Sequence, residues 1–493
     1  MNRGSGILMH ISSLPSKYGI GTLGKEAYTF ADFLKESGQK YWQILPLGHT
    51  GFGDSPYQSF SSYAGNPYFI DLETLEEEGL LTIEDLKSLD EEEDSETVNY
   101  GKLFDTRYKV LRIAYFRAKD RLKVELEDFR QEHKEWLEEY TLYMAIKEKM
   151  GNKSWLEWDE DIRFRQADVM ERYRNELESE RGFWAFLQYK FYSQWNKLKE
   201  YVNTLGIQII GDLPIYVAMD SSDVWASPEI FQLDEEYRPK VVAGCPPDAF
   251  TEDGQLWGNP IYDWDYLEKT GYTWWINRMR ATSKLYDVVR IDHFRGFESY
   301  WAVPYKDETA KYGKWVKGPG LNLFHAIEKE LGKPNIIAED LGFMTPEVEV
   351  FREALGYPGM KILQFAFGID GRSEHLPHDC EKNTVMYTGT HDNQTIKGWV
   401  HDINNKEELE YAKQYLKLDE EEGYHRGFIR GAWASPCRLA ITQMQDLLGL
   451  DDKARMNMPG TLGDNWTWRI GKDTLTDKLA KHIYSITKLY GRS

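Results

Sequence analysis

The chain has 493 residues and a formal net charge of −21, with pI near 5.1. That charge makes nucleic acid and anionic membrane poor partners and suits a soluble protein acting on a neutral substrate. The hydrophobic fraction of 41%, with 17 Trp, 31 Tyr and 22 Phe, can fill the core of one large barrel with insertions. MNRGSGILMHISS holds only a short apolar run, too short for a signal-peptide core, and no stretch reaches the roughly 18 apolar residues of a membrane span. Cys245, Cys380 and Cys437 are widely spaced and odd in number, so neither a disulfide framework nor a zinc knuckle follows from them. A reducing cytoplasm is the expected compartment.

In chain order, GILMHISSLP (Gly6 to Pro15) reads as a strand and its loop. A helix follows with Ala31, Phe33 and Leu34 inside and Gly38 stopping it. YWQILPLG (Tyr41 to Gly48) is a second strand. Its loop, HTGFGDSPYQSFSSYAGNPY, is too long for a plain connector. Residues 72–201 then read almost wholly as helix with charged, solvated faces, a helical insertion after strand two. Ile207, Ile209 and Ile210 form a third strand, with Asp212 just past it. Residues 223–272 form a second insertion, and its segment AGCPPDAFTEDGQLWGNPIYDW is expected to be irregular because of its prolines and glycines. YDVVRIDHFRGFESYW supplies a β-branched strand that carries Arg290 and Asp292 on one face, one pleat apart. PNIIAEDLG ends a strand at Glu339 and Asp340. MKILQFAF (Met360 to Phe367) is another, and NTVMYTGTHDNQT ends one at His391 and Asp392. Arg438 to Met444 reads as strand or helix alike.

Eight candidate parallel strands interleaved with helices predict an α/β fold, a (β/α)8 TIM barrel with insertions between barrel strands. In such barrels reactive groups occupy the C-terminal ends of strands. Asp212, Asp292, Glu339 and Asp392 all do so here. Arg290 beside Asp292 argues against a cation site, although hard cations take oxygen ligands. Glycosyl transfer fits better: one carboxylate acts as nucleophile, a second is held protonated as general acid, and a third binds hydroxyls. Aromatic faces for sugar rings are on offer at Tyr57, Phe250, Trp257 and Tyr262.

The strand ends resemble the short conserved-type regions of the α-amylase superfamily. GDSPYQSFSSYAGNPYFIDL, GDLPIYVAMDSSDVW, PPDAFTEDGQLWGNPIYDW, VVRIDHFRGFESYWAVP, IIAEDLG and GTHDNQT resemble the amylomaltase family of 4-α-glucanotransferases, as far as the late MNMPGTLGDNWTWR segment. The resemblance implies Asp292 as nucleophile, Glu339 as acid/base and Asp392 as the transition-state-stabilising acid. It places Tyr57, Asp212, Arg290 and His391 around the donor glucose, with Tyr57 as a stacking platform. It makes residues 244–259 a flexible loop over the acceptor side, with Trp257 and Gln255 as sugar contacts. The implied reaction is retaining transfer of a 1,4-α-glucan segment to glucose or another maltooligosaccharide, with no metal and no organic cofactor.

Two other functions use the same residues. An α-1,4-glucan hydrolase would share both catalytic carboxylates; a closing loop that excludes water favours transfer. A glycan-binding protein on an inactive barrel would have lost Asp292 or Glu339, and both are present. Strand alternation marks Asp340 as structural. By the same rule His293 is a packing group, unless a turn brings it to the acceptor side.

Overall fold

A computed structural model describes residues 3–87, 89, 95–247, 252–368 and 373–493. Among the described residues the strands are β1 (Gly4–Leu8), β2 (Tyr41–Gln43), β3 (Gln208–Pro214), β4 (Val241–Cys245), β5 (Gln255–Pro260), β6 (Val288–Asp292), β7 (Ser299–Pro304), β8 (Lys314–Lys317), β9 (Ile336–Ala338), β10 (Gly359–Ile362), β11 (Thr384–Tyr387) and β12 (Leu439–Gln443). Eight of them form one parallel sheet in the order β10-β11-β12-β1-β2-β3-β6-β9. The sheet curls until its two edges meet, giving a (β/α)8 barrel. The ambiguous Arg438–Met444 stretch resolves as strand β12, buried on both sides by β1 and β11.

The seam between β9 and β10 has no ladder among the described residues, because Pro358 offers no N–H there. It is closed by the Ala338 N–H donating to the Pro358 carbonyl at 2.9 Å and by the Met360 N–H donating to Asp340 Oδ1 at 2.6 Å. Asp340 therefore serves the barrel, as strand alternation predicts. The run MKILQFAF is strand only to Ile362. There the His375 ring takes the Ile362 N–H at 3.1 Å, and residues Leu363–Phe367 wind into a 3-10 helix.

Helices ring the barrel for the usual reason, an apolar stripe at helical spacing. Lys25–Glu36 buries Ala27, Phe30, Ala31, Phe33 and Leu34 and is stopped at Ser37 and Gly38, whose φ of 74° needs glycine's freedom. Between β2 and β3 lie further helices from Leu72–Glu77 onward, the last a 27-residue helix, Glu178–Thr204. Its buried Trp195, Leu198 and Val202 lie toward its C-terminal end, and Trp195 Nε1 donates to the Leu285 carbonyl at 3.2 Å. Helical structure thus continues past Tyr201, where the sequence pattern fades.

The segment expected to be irregular contains two strands. β4 and β5 form an antiparallel hairpin with a register shift between Val242 and Gly244, and β7 and β8 extend it to a four-stranded sheet in the order β5-β4-β7-β8. Its prolines and glycines mark the bulge and the turn rather than a structureless loop. Residues 248–251, including Phe250, lie outside the described residues.

At the N-terminal end of the barrel the buried Arg492 guanidinium donates to the carbonyls of Gly4 (2.8 Å), Trp433 (2.7 Å), Ser435 (3.0 Å) and Cys437 (3.1 Å). It ties the last turn of the chain to its first strand. An Arg492→Ala variant takes this donor from the Gly4 carbonyl, while Arg3 still donates to those of Trp433, Ser435 and Cys437, and is expected to cost about 1–2 kcal/mol, read as a lower thermal midpoint. An unchanged midpoint would show that Arg3 alone suffices.

Candidate active site

The register of β3 against β6 places Asp212 directly opposite Arg290 and Pro214 opposite Asp292. Asp212 is therefore inside β3, not just past it as its sequence position suggested. Gly211 beside it is required: a Cβ there would run into the Tyr286 ring at 2.2 Å. Inside the barrel, one nitrogen, Arg290 Nη1, donates to both Asp212 Oδ2 (2.6 Å) and Asp292 Oδ1 (3.1 Å). Tyr57, from the long loop after β2, donates its hydroxyl to the same Asp212 Oδ2 at 2.8 Å. Asp212 Oδ1 is buried with no partner among the described residues. Burial pushes the Asp212 carboxyl up, and the Arg290 charge pulls it back. Burial alone would lower Arg290, but Asp212 and Asp292 overcome it and hold the guanidinium well above its ordinary value.

Glu339 lies one residue beyond β9. Its main chain continues the ladder, donating N–H to Ile291 O and accepting at its carbonyl from Phe294 N–H, both at 3.1 Å. Its side chain accepts from two backbone N–H groups, His293 to Oε2 at 2.7 Å and Leu341 to Oε1 at 3.0 Å. Burial dominates its chemistry: the carboxyl is pushed up to about 8, with Arg290 opposing and Asp292 reinforcing. Glu339 is 9% exposed, whereas the Asp292 side chain is 29% exposed. A proton-holding acid thus stands beside a more open carboxylate that touches arginine.

Asp392 lies in the turn after β11, with its side chain 41% exposed. Its orientation comes from the C-terminal segment. Asn457 Nδ2 donates to Asp392 Oδ1 at 2.6 Å, Arg455 Nη2 donates to the Asp392 carbonyl at 2.6 Å, and the Asn457 N–H donates to the His391 carbonyl at 3.1 Å. His391 Nε2 is 3.3 Å from Asp392 Oδ2, and burial lowers the imidazole's proton affinity against the pull of Asp392. The His391 ring stacks on Tyr57 at 5.2 Å and 16°, so one face of the expected sugar platform is covered by histidine. Trp466 tilts against both rings at 5.8 and 5.9 Å. Sequence reasoning passed over Asn457, Arg455 and Trp466. For Asn457 and Trp466 the signal was the segment MNMPGTLGDNWTWR, dense in polar and aromatic residues yet outside the barrel repeat; Arg455 stands just before it.

Of the other expected contacts, Trp257 and Gln255 lie on β5, half-buried and joined by Trp257 Nε1 donating to Gln255 Oε1 at 3.1 Å. Tyr262 is not a sugar face: it is fully buried and donates its hydroxyl to the Ile215 carbonyl at 2.8 Å. His293 breaks the strand alternation. Its φ of 51° puts it in the left-handed region, and its ring meets Trp257 edge to face at 4.8 Å. Among the described residues no group of three or more His, Cys, Asp or Glu is arranged to hold a metal ion.

The family profile described as 4-alpha-glucanotransferase matches residues 9–474. The chain is 54% identical to the 4-alpha-glucanotransferase of Clostridium butyricum, over 98% of this chain and 100% of that one. It is 51% identical to the 4-alpha-glucanotransferase of Streptococcus pneumoniae, over 99% of this chain and 97% of that one. The structure is similar to that of amylomaltase from Streptococcus agalactiae in complex with acarbose, with TM-score 0.95, 44% identity and full coverage of both chains. With the geometry of the mouth and a match of this length, the chain belongs to the 4-alpha-glucanotransferase family.

Proposed function

We propose that this 4-alpha-glucanotransferase works by retaining double displacement, with Asp292 as nucleophile, Glu339 as acid/base and Asp392 as the group that binds hydroxyls of the distorted donor sugar. In the first step Glu339 gives its proton to the glycosidic oxygen while Asp292 bonds to the anomeric carbon and the leaving glucan departs. In the second, Glu339 takes a proton from the 4-hydroxyl of an acceptor, which displaces Asp292. Two inversions return the α configuration. The observation that carries this reading is the pairing of buried, proton-holding Glu339 with the more open Asp292 on Arg290.

The unpaired Asp212 Oδ1 suits a donor hydroxyl of the sugar, since a buried acceptor left unpaired is costly. Substrates in this reading are soluble α-1,4-glucans as donors, with glucose or another maltooligosaccharide as acceptor, in the cytoplasm. Among the described residues no helix is long and apolar enough to cross a membrane.

Incubation with maltotriose is expected to give a ladder of shorter and longer chains at constant total reducing ends. Rising reducing ends with shorter chains only would make the protein a hydrolase. An Asp292→Asn variant is expected to lose roughly 10^3-fold or more in turnover while still binding glucan; substantial residual transfer would remove Asp292 from its role. Because Glu339 is raised above its ordinary value, it is protonated below about 8, so kcat/KM is expected to fall as pH rises through that value. An Asn457→Ala variant frees Asp392 and is expected to lower kcat about tenfold to a hundredfold, the worth of one charge-assisted hydrogen bond.

A further inference from the structure

We propose that His293 is a positioning residue that couples the β4–β5 hairpin to the acid/base: Trp257 clamps the His293 ring, and the left-handed turn so fixed delivers the His293 N–H to Glu339. The inference rests on the reading of Glu339 given above and concerns how that group is held.

The chain has a choice at the end of β6. Continued extended backbone would carry His293 to the face opposite Asp292 and point its N–H along the ladder. Instead φ and ψ are 51° and 44°, a conformation a side chain bearing a Cβ rarely adopts. Such strain persists only where the surroundings impose it. Two contacts do so here. The N–H meets Glu339 Oε2 at 2.7 Å, and the ring is held edge to face against Trp257 at 4.8 Å and 86°. The next residue repeats the tie, Phe294 N–H donating to the Glu339 carbonyl at 3.1 Å.

The ring has no polar reason to be where it is. It is nine-tenths buried, and its Nε2 has no hydrogen-bond partner among the described residues. Gly296 makes room for it, since a Cβ there would come within 3.2 Å of its Cδ2. Burial, with the nearby Arg295 charge, lowers the imidazole to about 3, so it stays neutral wherever the enzyme works and adds no titration of its own. The groups that face Glu339 are Arg290, Asp292 and the N–H groups of His293 and Leu341. What His293 contributes is therefore shape. Its ring is a handle on the backbone, held edge to face by Trp257 of the β4–β5 hairpin and, farther off at 6.4 Å, by the tilted ring of Tyr216. A shift of that hairpin on acceptor binding reaches Glu339 through one ring and one N–H.

The His293 N–H stabilises the charged form of Glu339, so weakening that bond raises the proton affinity of Glu339 and moves the alkaline limb of kcat/KM to higher pH. The experiment compares His293→Val, His293→Asn and His293→Gly with Trp257→Ala, each assayed on maltotriose across pH 5 to 10. Valine fills space but resists positive φ, whereas asparagine and glycine accept it. The expected result is a loss of about a hundredfold in kcat for His293→Val, most of it recovered in His293→Asn and His293→Gly. If His293 only packs, valine retains more activity than glycine, and the proposal is overturned. Trp257→Ala never touches Glu339, yet its alkaline limb is expected to rise by about half a pH unit. A limb that stays put while only the KM for acceptor rises would sever the coupling. That arm also decides the matter if His293→Val does not fold. Glu339→Gln assayed alongside separates the two readings: retained transfer in that variant overturns the acid/base assignment and the coupling together, whereas its loss leaves the limb as the test of the coupling alone.

Discussion

The site depends on one buried guanidinium shared between two carboxylates. Arg290 Nη1 touches Asp212 on the neighbouring strand and Asp292 on its own, and Arg290 and Asp212 are both buried. Removing an arginine from water is expensive, and the contacts have to repay it. The β3–β6 register does so by placing Asp212 opposite Arg290, and Tyr57 completes the pairing from above. A one-residue slip would turn Arg290 and Asp292 outward together. Strand register and site chemistry are therefore a single constraint here.

From that centre the carboxylates are told apart by what surrounds them. Glu339 is ringed by backbone and held by two N–H groups, yet burial outweighs these and keeps its proton. Asp292 opens to the mouth, and Asp392 opens further, steered by Asn457 and Arg455 from the end of the chain. The same functional group, a carboxyl at a strand end, thus meets three different environments, set by burial and hydrogen-bond donors.

Seven of the eight barrel strands were legible because each is a short β-branched or apolar run closed by a turn, a pattern that survives without tertiary information; β12 alone read as strand or helix alike. The acids at the strand ends were legible for the same reason. Less legible were features set by contacts distant in sequence. The segment around Gly244 and Gly254 looked irregular because β7, which pairs with β4, comes much later in the chain. MKILQFAF read as one strand because nothing local announces that His375 takes the Ile362 N–H. Asn457 is one asparagine among many until the chain folds it onto Asp392. His293 followed the alternation rule in sequence and broke it in space, under contacts from Glu339 and Trp257.

The layout also bears on why transfer wins over hydrolysis. Both reactions share the covalent first step, so the difference lies in what reaches Glu339 in the second. A sugar acceptor brings binding energy from rings that never react, and that energy can order the groups around the reacting carbon; water brings none. In this fold the half-exposed Trp257 on the β4–β5 hairpin is packed against the turn that holds Glu339. On the coupling proposed above, an acceptor that settles the hairpin acts on Glu339 as well as on its own position, and a water molecule passing through an unsettled hairpin does not. Selectivity between the two nucleophiles would then follow from mechanical contact, without any group reserved for rejecting water.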